Sequence, residues 1–138
     1  VLVDGDIIRE VFGNDLGYSM DDRLLNAQRI CQIGKFLDEQ GFNVVCAILS
    51  LFPETRDWNR DNIKDYYEVF IDVPIDILVD RDSKGIYAKY IKAEISDVAG
   101  MDIHFPVPER ADLVIDNSKS KDDLLAYSDS IIEKILQV

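Results

Sequence analysis

Little in this chain could staple it or carry metal chemistry. Its 138 residues include 2 cysteines and 1 histidine. Cys31 falls in a helical stretch and Cys46 in an apolar strand, without CxxC spacing. That argues against a disulfide framework or a thiolate metal site and for two buried free thiols in a reducing cytoplasm. His104, between Ile103 and Phe105, has no cluster of ligating side chains around it and takes no catalytic or metal role. No apolar run is long enough to span a membrane, and no signal peptide, low-complexity tract or internal repeat is visible. Positive charge is also scarce: 15 Lys and Arg against 27 Asp and Glu leave a net −12. A broad nucleic-acid or anionic-membrane surface is thereby disfavoured, and an anionic small molecule would need a local cationic pocket.

What is present is an ordinary globular composition, 47% hydrophobic and 30% charged. The length suits one domain over residues 1–138, able to bury roughly two-thirds of its unfolded surface. Short continuous apolar runs at 1–3, 44–49, 67–73 and 113–115 predict strands covered on both faces, hence parallel. Helical stretches lie between them at 7–12, 22–39, 54–64 and 75–80, with a last helix over 121–137. In that last helix Leu124, Leu125, Ile131, Ile132, Ile135 and Leu136 recur at helical spacing after a Ser120 N-cap. Gly41 stops the long second helix. Such alternation predicts an α/β sandwich of three layers with right-handed crossovers.

The most informative run is Asp4-Gly5-Asp6-Ile7-Ile8-Arg9, with Asp15-Leu16-Gly17-Tyr18-Ser19 and Asp22-Arg23-Leu24-Leu25-Asn26 behind it. Two carboxylates stand at the end of an apolar strand. Asp6 and Arg9 share a helix face, as do Arg23, Asn26 and Arg29. Carboxylates that handle a metal or a proton, beside forked cations suited to phosphate or sulfate, make a plausible site. The plainer reading is a capped helix with charges paired along its face, Asp15 or Asp22 serving the arginines. Residues 81–108 stand apart: polar, interrupted by Gly85 and Gly100, closed by Pro106 and Pro108, and carrying Arg81, Lys84, Lys89 and Lys92. An insertion of that kind reads as a lid or binding loop, or as a solvated helix.

Taken in order, these motifs resemble the adenylylsulfate (APS) kinase family of P-loop kinases. The family reads DGDNVR, DLGFSxxDRxxNxRR, FISPFxxxR, FxDxPLxxxxxRDPKGLYKK and FTGIDxPYExPxxxDLxID. The chain answers with residues 4–9, 15–29, Leu49-Ser50-Leu51-Phe52 with Arg56, and residues 70–74. Arg81-Asp82-Ser83-Lys84-Gly85-Ile86-Tyr87 and the run from Ala99 to Asp116 complete the match. The family's Walker A loop, GxxxxGK[ST], has no counterpart here, although its backbone amides and lysine would hold the ATP phosphates. In the family the first strand lies mid-sheet, and leaving it out would expose two strand edges. The expectation is a partial record of a longer protein, with first strand and P-loop missing and the chain inactive as given. The rarer reading is a pseudokinase without a P-loop.

The resemblance implies transfer of the γ-phosphoryl of ATP, with Mg²⁺, to the ribose 3′-hydroxyl of a nucleotide anhydride. Asp6 would orient that hydroxyl and take its proton, or hold the waters of Mg²⁺, and Lys84 would close over the transferring group. Arg9, Arg23 and Asn26 map to positions that hold the nucleotide and its anionic tail, and Arg81 to the ATP side. Asp4 maps to the substrate edge or caps the following helix. Ser50 lines the substrate pocket or satisfies a local turn. Two aromatics grip the base in the family; here one is Tyr18 and the other is Val98, which forfeits roughly 1–3 kcal/mol of stacking. The proline of the family's DPKG is Ser83, and that of ISPF is Leu51. APS is the default substrate. The alternatives are a cytidine diphosphoramidate kinase of bacterial capsule synthesis and a non-catalytic nucleotide- or partner-binding fragment. The expected partners are small nucleotides, with no nucleic acid and no membrane; the expected location is cytoplasmic, and a homodimer is open.

Overall fold

Short apolar runs form parallel strands in this protein, and the stretches between them form helices. The computed structural model describes residues 1–136, so the helix end expected at Gln137 lies outside the described residues. The chain divides into two compact units, Val1–Tyr66 and Tyr67–Val138.

In the first unit the order is β1 (Leu2–Asp4), α1 (Gly5–Val11), α2 (Met20–Glu39), β2 (Val45–Ala47) and α3 (Pro53–Asn62). β1 and β2 pair in parallel, Leu2 opposite Val45 and Asp4 opposite Ala47. Both strands therefore end at the same edge, where Asp4 opens α1 and residues 48–52 lead to α3. Val3 of β1, Ile8 of α1 and Ile30 of α2 form the buried core, flanked by Ile33, Leu37, Val44 and Ile48. Each such side chain contributes roughly 1.5–3 kcal/mol by leaving water. The spacing of Ile30, Ile33 and Leu37 puts one apolar stripe of α2 against the strands. That stripe runs until Gly41, whose φ of +81° closes the helix with its N–H on the Asp38 carbonyl at 2.8 Å. Pro53 starts α3 in the first-turn position where a missing N–H costs nothing.

The second unit runs β3 (Val69–Asp72), α4 (Ile75–Arg81), α5 (Ile86–Ile91), β4 (Leu113–Asp116), α6 (Lys121–Leu125) and α7 (Tyr127–Leu136). β3 and β4 are again parallel, Phe70 opposite Val114 and Ile71 opposite Ile115. Phe70 stacks on Phe105 with centroids 5.9 Å apart, and Ile115 and Val98 are buried. No helix among the described residues is long and apolar enough to cross a membrane.

Both strand pairs are parallel, as the apolar runs implied, and the fold is α/β. Two expectations change, and one left open between loop and helix is decided. The helix expected over 121–137 starts at the Ser120–Asp123 capping box but is interrupted at Ala126 into α6 and α7, where the Ser128 hydroxyl donates to the Leu125 carbonyl at 2.6 Å. Residues 81–108 are not all loop: α5 forms where Asp82 caps its first turn. Cys46 is exposed rather than buried, since all three residues of β2 are exposed; Cys31 is buried as expected.

Candidate active site

The site begins with a helix cap. Asp4 Oδ1 accepts the N–H groups of Asp6 at 2.9 Å and Ile7 at 3.3 Å, fixing the first turn of α1 at the strand end. A cap of this kind stabilises a helix by about 1 kcal/mol. Of the two roles left open for Asp4, the structure displays the cap. Asp6 follows in the first turn, exposed. One turn later Arg9 is only 7% exposed. Its Nη1 donates to the carbonyls of Gly17 at 2.7 Å and Leu16 at 3.3 Å, drawing the connection between α1 and α2 back over the helix. Bonds from a charged group to carbonyls contribute roughly 1.5–3 kcal/mol.

That connection carries Tyr18, which is 61% exposed. The guanidinium carbon of Arg9 lies 4.8 Å from the ring centroid and that of Arg23 5.7 Å from it. Arg23 Nε also donates to the Tyr18 carbonyl at 2.7 Å. A flat aromatic is thus held in solvent beside two cations, the kind of platform a nucleotide base and its phosphates require. Ser19 caps α2 by accepting the Asp22 N–H at 3.2 Å. The start of the connection is pinned by a bidentate pair: Arg29 donates to Asp15 at 3.0 and 2.8 Å while its guanidinium covers Phe12 at 4.0 Å. The Arg29 hydrogen bonds hold the Asp15 carboxyl below the usual carboxylate range. An ion pair exists here, between Asp15 of the connection and Arg29 of α2, while Arg9 and Arg23 each donate to loop carbonyls.

Asn26 of α2 is 5% exposed. Its Nδ2 donates to the Gly5 carbonyl at 3.4 Å, while its Oδ1 is buried without a partner. An orphaned acceptor next to the start of α1 is costly, by about 1–3 kcal/mol, unless a ligand hydroxyl or amine satisfies it. Ser50 leaves β2 at the same strand-end edge as Asp4, and its carbonyl accepts Arg56 Nη1 at 2.8 Å. Arg56, 8% exposed, shapes that segment from α3.

Of the expected residues, this unit brings together Asp4, Asp6, Arg9, Tyr18, Arg23 and Asn26, with Ser50 on the neighbouring strand end. Arg81, Lys84 and Val98 belong to the second unit. Arg81 ends α4 and donates through Nη1 to the Asn117 carbonyl at 2.8 Å and through Nη2 to that of Lys119 at 2.9 Å. Lys84 is exposed in the following turn, which Asp82 ties to α5 by accepting the Tyr87 and Ala88 N–H groups at 3.1 and 2.8 Å. Val98 is buried in a turn: its N–H reaches Asp102 Oδ1 at 2.7 Å and its carbonyl accepts from Met101 and Ile103.

Sequence reasoning missed Gly17, Asp22 and Arg56 as architects of the site. The Ser19-x-x-Asp22 spacing of a capping box was the available signal for Asp22; for Arg56 it was its place four residues after Phe52 in the family's pattern. Among the described residues no group of three His, Cys, Asp or Glu side chains could hold a metal ion. Magnesium that arrives on ATP asks for less, since it keeps its waters and takes one or two carboxylates, and the exposed Asp6 fits that demand.

The family model for adenylylsulphate kinase matches residues 1–116. A cytidine diphosphoramidate kinase of Campylobacter jejuni is 39% identical over 135 residues, covering 98% of this chain and 78% of that protein. An adenylyl-sulfate kinase of Clostridium acetobutylicum is 34% identical over 137 residues, covering 99% and 68%. The APS kinase of Mycobacterium tuberculosis, solved in complex with AMPPNP and APS, matches in structure with a TM-score of 0.85 at 33% identity, covering 99% of this chain and 79% of that one.

Proposed function

Because this chain belongs to the adenylylsulphate kinase family, we propose that it transfers the γ-phosphoryl of ATP to the ribose 3′-hydroxyl of a nucleotide anhydride. The observation that carries this reading is the Tyr18 ring with the Arg9 and Arg23 guanidiniums 4.8 and 5.7 Å from its centroid, Arg9 standing one helical turn after Asp6. A ring for the base, two forked cations for the anhydride and an exposed carboxylate at a strand end are the parts that such a transfer needs.

In the proposed reaction Asp6 accepts the 3′-hydroxyl proton as that oxygen bonds to the γ-phosphorus. The bond from the γ-phosphorus to the β,γ-bridging oxygen breaks, and ADP leaves. Arg9 and Arg23 hold the acceptor's phosphate and its anionic tail, and Asn26 Oδ1 accepts a hydroxyl of the acceptor. Asp4 sets the turn, and Ser50 lines the acceptor side. Lys84 and Arg81 serve the ATP phosphates and nucleotide, within one kinase domain over residues 1–138 whose segment 81–108 acts as the lid. Mg²⁺ accompanies ATP and supplies neutralisation of its phosphates. No GxxxxGK[ST] run occurs in the 138 residues, so turnover is proposed to require such a segment in addition to them.

Between the two acceptors, Val98 supports a cytidine diphosphoramidate over APS. A buried valine provides no ring for the second face of an adenine, and a smaller pyrimidine loses less by that. The 39% identity to a kinase named for that cytidine substrate supports the same choice. The second reading, APS, is favoured by the retained Tyr18 and by the likeness to an APS-bound kinase. Initial rates of ATP consumption with each anhydride at equal low concentration compare kcat/KM directly. A preference for APS above about tenfold would reverse the choice.

A further inference from the structure

Tyr18 is useful only if its ring is held still, and the side chain that holds it is one the proposed chemistry does not use. Asp22 Oδ2 accepts the Gly17 N–H at 3.1 Å and the Ser19 hydroxyl at 2.8 Å, so one oxygen ties down both neighbours of Tyr18. The approach is possible because residue 17 has no side chain: a Cβ there would stand 2.9 Å from Asp22 Oδ2. Gly17 is not among the positive-φ glycines, so close approach rather than backbone conformation requires it. The Gly17 carbonyl meanwhile accepts Arg9 Nη1 at 2.7 Å. A carboxylate therefore grips residue 17 by its N–H and a guanidinium grips it by its carbonyl, and Arg23 Nε takes the next carbonyl, that of Tyr18. We propose that Asp22 is a positioning residue for the acceptor nucleotide: through Gly17 and Ser19 it sets the Tyr18 ring against Arg9 and Arg23, and so it governs acceptor affinity without touching the acceptor.

The competing role is structural, with Asp22 serving only the start of α2. The two separate because the α2 cap, the Ser19 oxygen on the residue-22 backbone N–H, is retained in Asp22→Ala and Asp22→Asn. Asp22→Ala removes both tethers. Asp22→Asn keeps an acceptor oxygen and rescues in part. Gly17→Ala pushes a methyl against the carboxylate, and in the Asp22→Ala background that methyl meets nothing.

This inference rests on the proposed function for its kinetic consequence, and on hydrogen exchange for its structural one. In the intact protein, Asp22→Ala is expected to raise the acceptor KM about tenfold or more, the loss of one to two hydrogen bonds of ordinary strength. The KM for ATP and kcat at saturating acceptor should change less than about twofold. Asp22→Asn should fall between Asp22→Ala and the unsubstituted protein, and Gly17→Ala should cost less in Asp22→Ala than alone, the non-additivity of a direct contact. Amide exchange at Gly17, measured without nucleotide, should quicken in Asp22→Ala. Unchanged exchange at Gly17, additive effects of the two substitutions, or an equal rise in both KM values would overturn the proposal. An unsubstituted protein that consumed no ATP with either anhydride would count against the proposed function instead, and the exchange result would still decide whether Asp22 tethers the segment that carries Tyr18.

Discussion

The Arg9 guanidinium lies 4.8 Å from the centre of the Tyr18 ring and bonds the carbonyl of the residue before it at 2.7 Å. The same cation thus builds the loop and faces what the loop presents. Sequence alone suggests that Arg9→Ala spares the fold and costs only affinity. Its burial argues for both losses. Arg9→Ala should raise the acceptor KM more than about tenfold and also remove roughly 1.5–3 kcal/mol of stability. The Tm should therefore drop by several degrees, at about 2–8 °C per kcal/mol for a domain near this size. Calorimetric melting with initial-rate kinetics checks the pair of effects; an unchanged KM would reduce Arg9 to a loop anchor.

Asp6 sits exposed one turn before Arg9 and makes the opposite prediction. Asp6→Asn should lower kcat by about 10²–10⁴-fold while leaving acceptor affinity nearly intact, because a proton acceptor acts in the transition state. Calorimetric titration beside initial rates tests this. Weak binding with normal turnover at saturation would contradict the role.

The Asp15–Arg29 pair adds a pH dependence. Hydrogen bonds from Arg29 lower the Asp15 pKa below its ordinary 3.8 in the folded protein. The pair's stabilisation is therefore complete well above the unfolded value, about 3.9, and is lost as pH falls through the lower folded value. The Tm difference between the unsubstituted protein and Asp15→Asn should be constant from pH 5 to 7, roughly, and shrink toward zero in more acid solution. A difference that grew on acidification would exclude the mechanism.

The parallel strands were legible because short continuous apolar runs alternate with helical stretches, and the end of α2 because Gly41 marks it. Boundaries shifted by a few residues where caps decide them: Asp4 starts α1 two residues before the first apolar position, and Ser19 likewise starts α2 early. The candidate-site residues stand out in the sequence by type. Their arrangement does not, because three-residue spacing shows a shared helix face but not a loop folding back across it. Hence Arg9 reads as an anion ligand on a helix face although it is buried with its bonds on loop carbonyls, and Asp22 reads as a charge to be paired although it tethers Gly17. Cys46 misled for a related reason: an apolar run implies a covered strand, and β2 is exposed along its length.

Val98 is the proposed determinant of base selectivity. Val98→Phe should shift the ratio of kcat/KM toward APS, restoring up to about 1–3 kcal/mol of stacking. The turn is tight, with Asp102 on the Val98 N–H, so overpacking should cost about 1–3 kcal/mol of stability, read as a lower Tm. A stable variant with an unshifted ratio would mean that residue 98 does not meet the base.

The central claim is phosphoryl transfer to a nucleotide ribose hydroxyl. It is tested most directly by incubating the intact protein with ATP, Mg²⁺ and either cytidine diphosphoramidate or APS, and following products by ³¹P NMR. The account predicts ADP formation dependent on the acceptor, a new phosphomonoester resonance at the ribose 3′ position, and faster reaction with the cytidine compound. ATP consumption indifferent to either acceptor, or no new phosphomonoester with both, would contradict it.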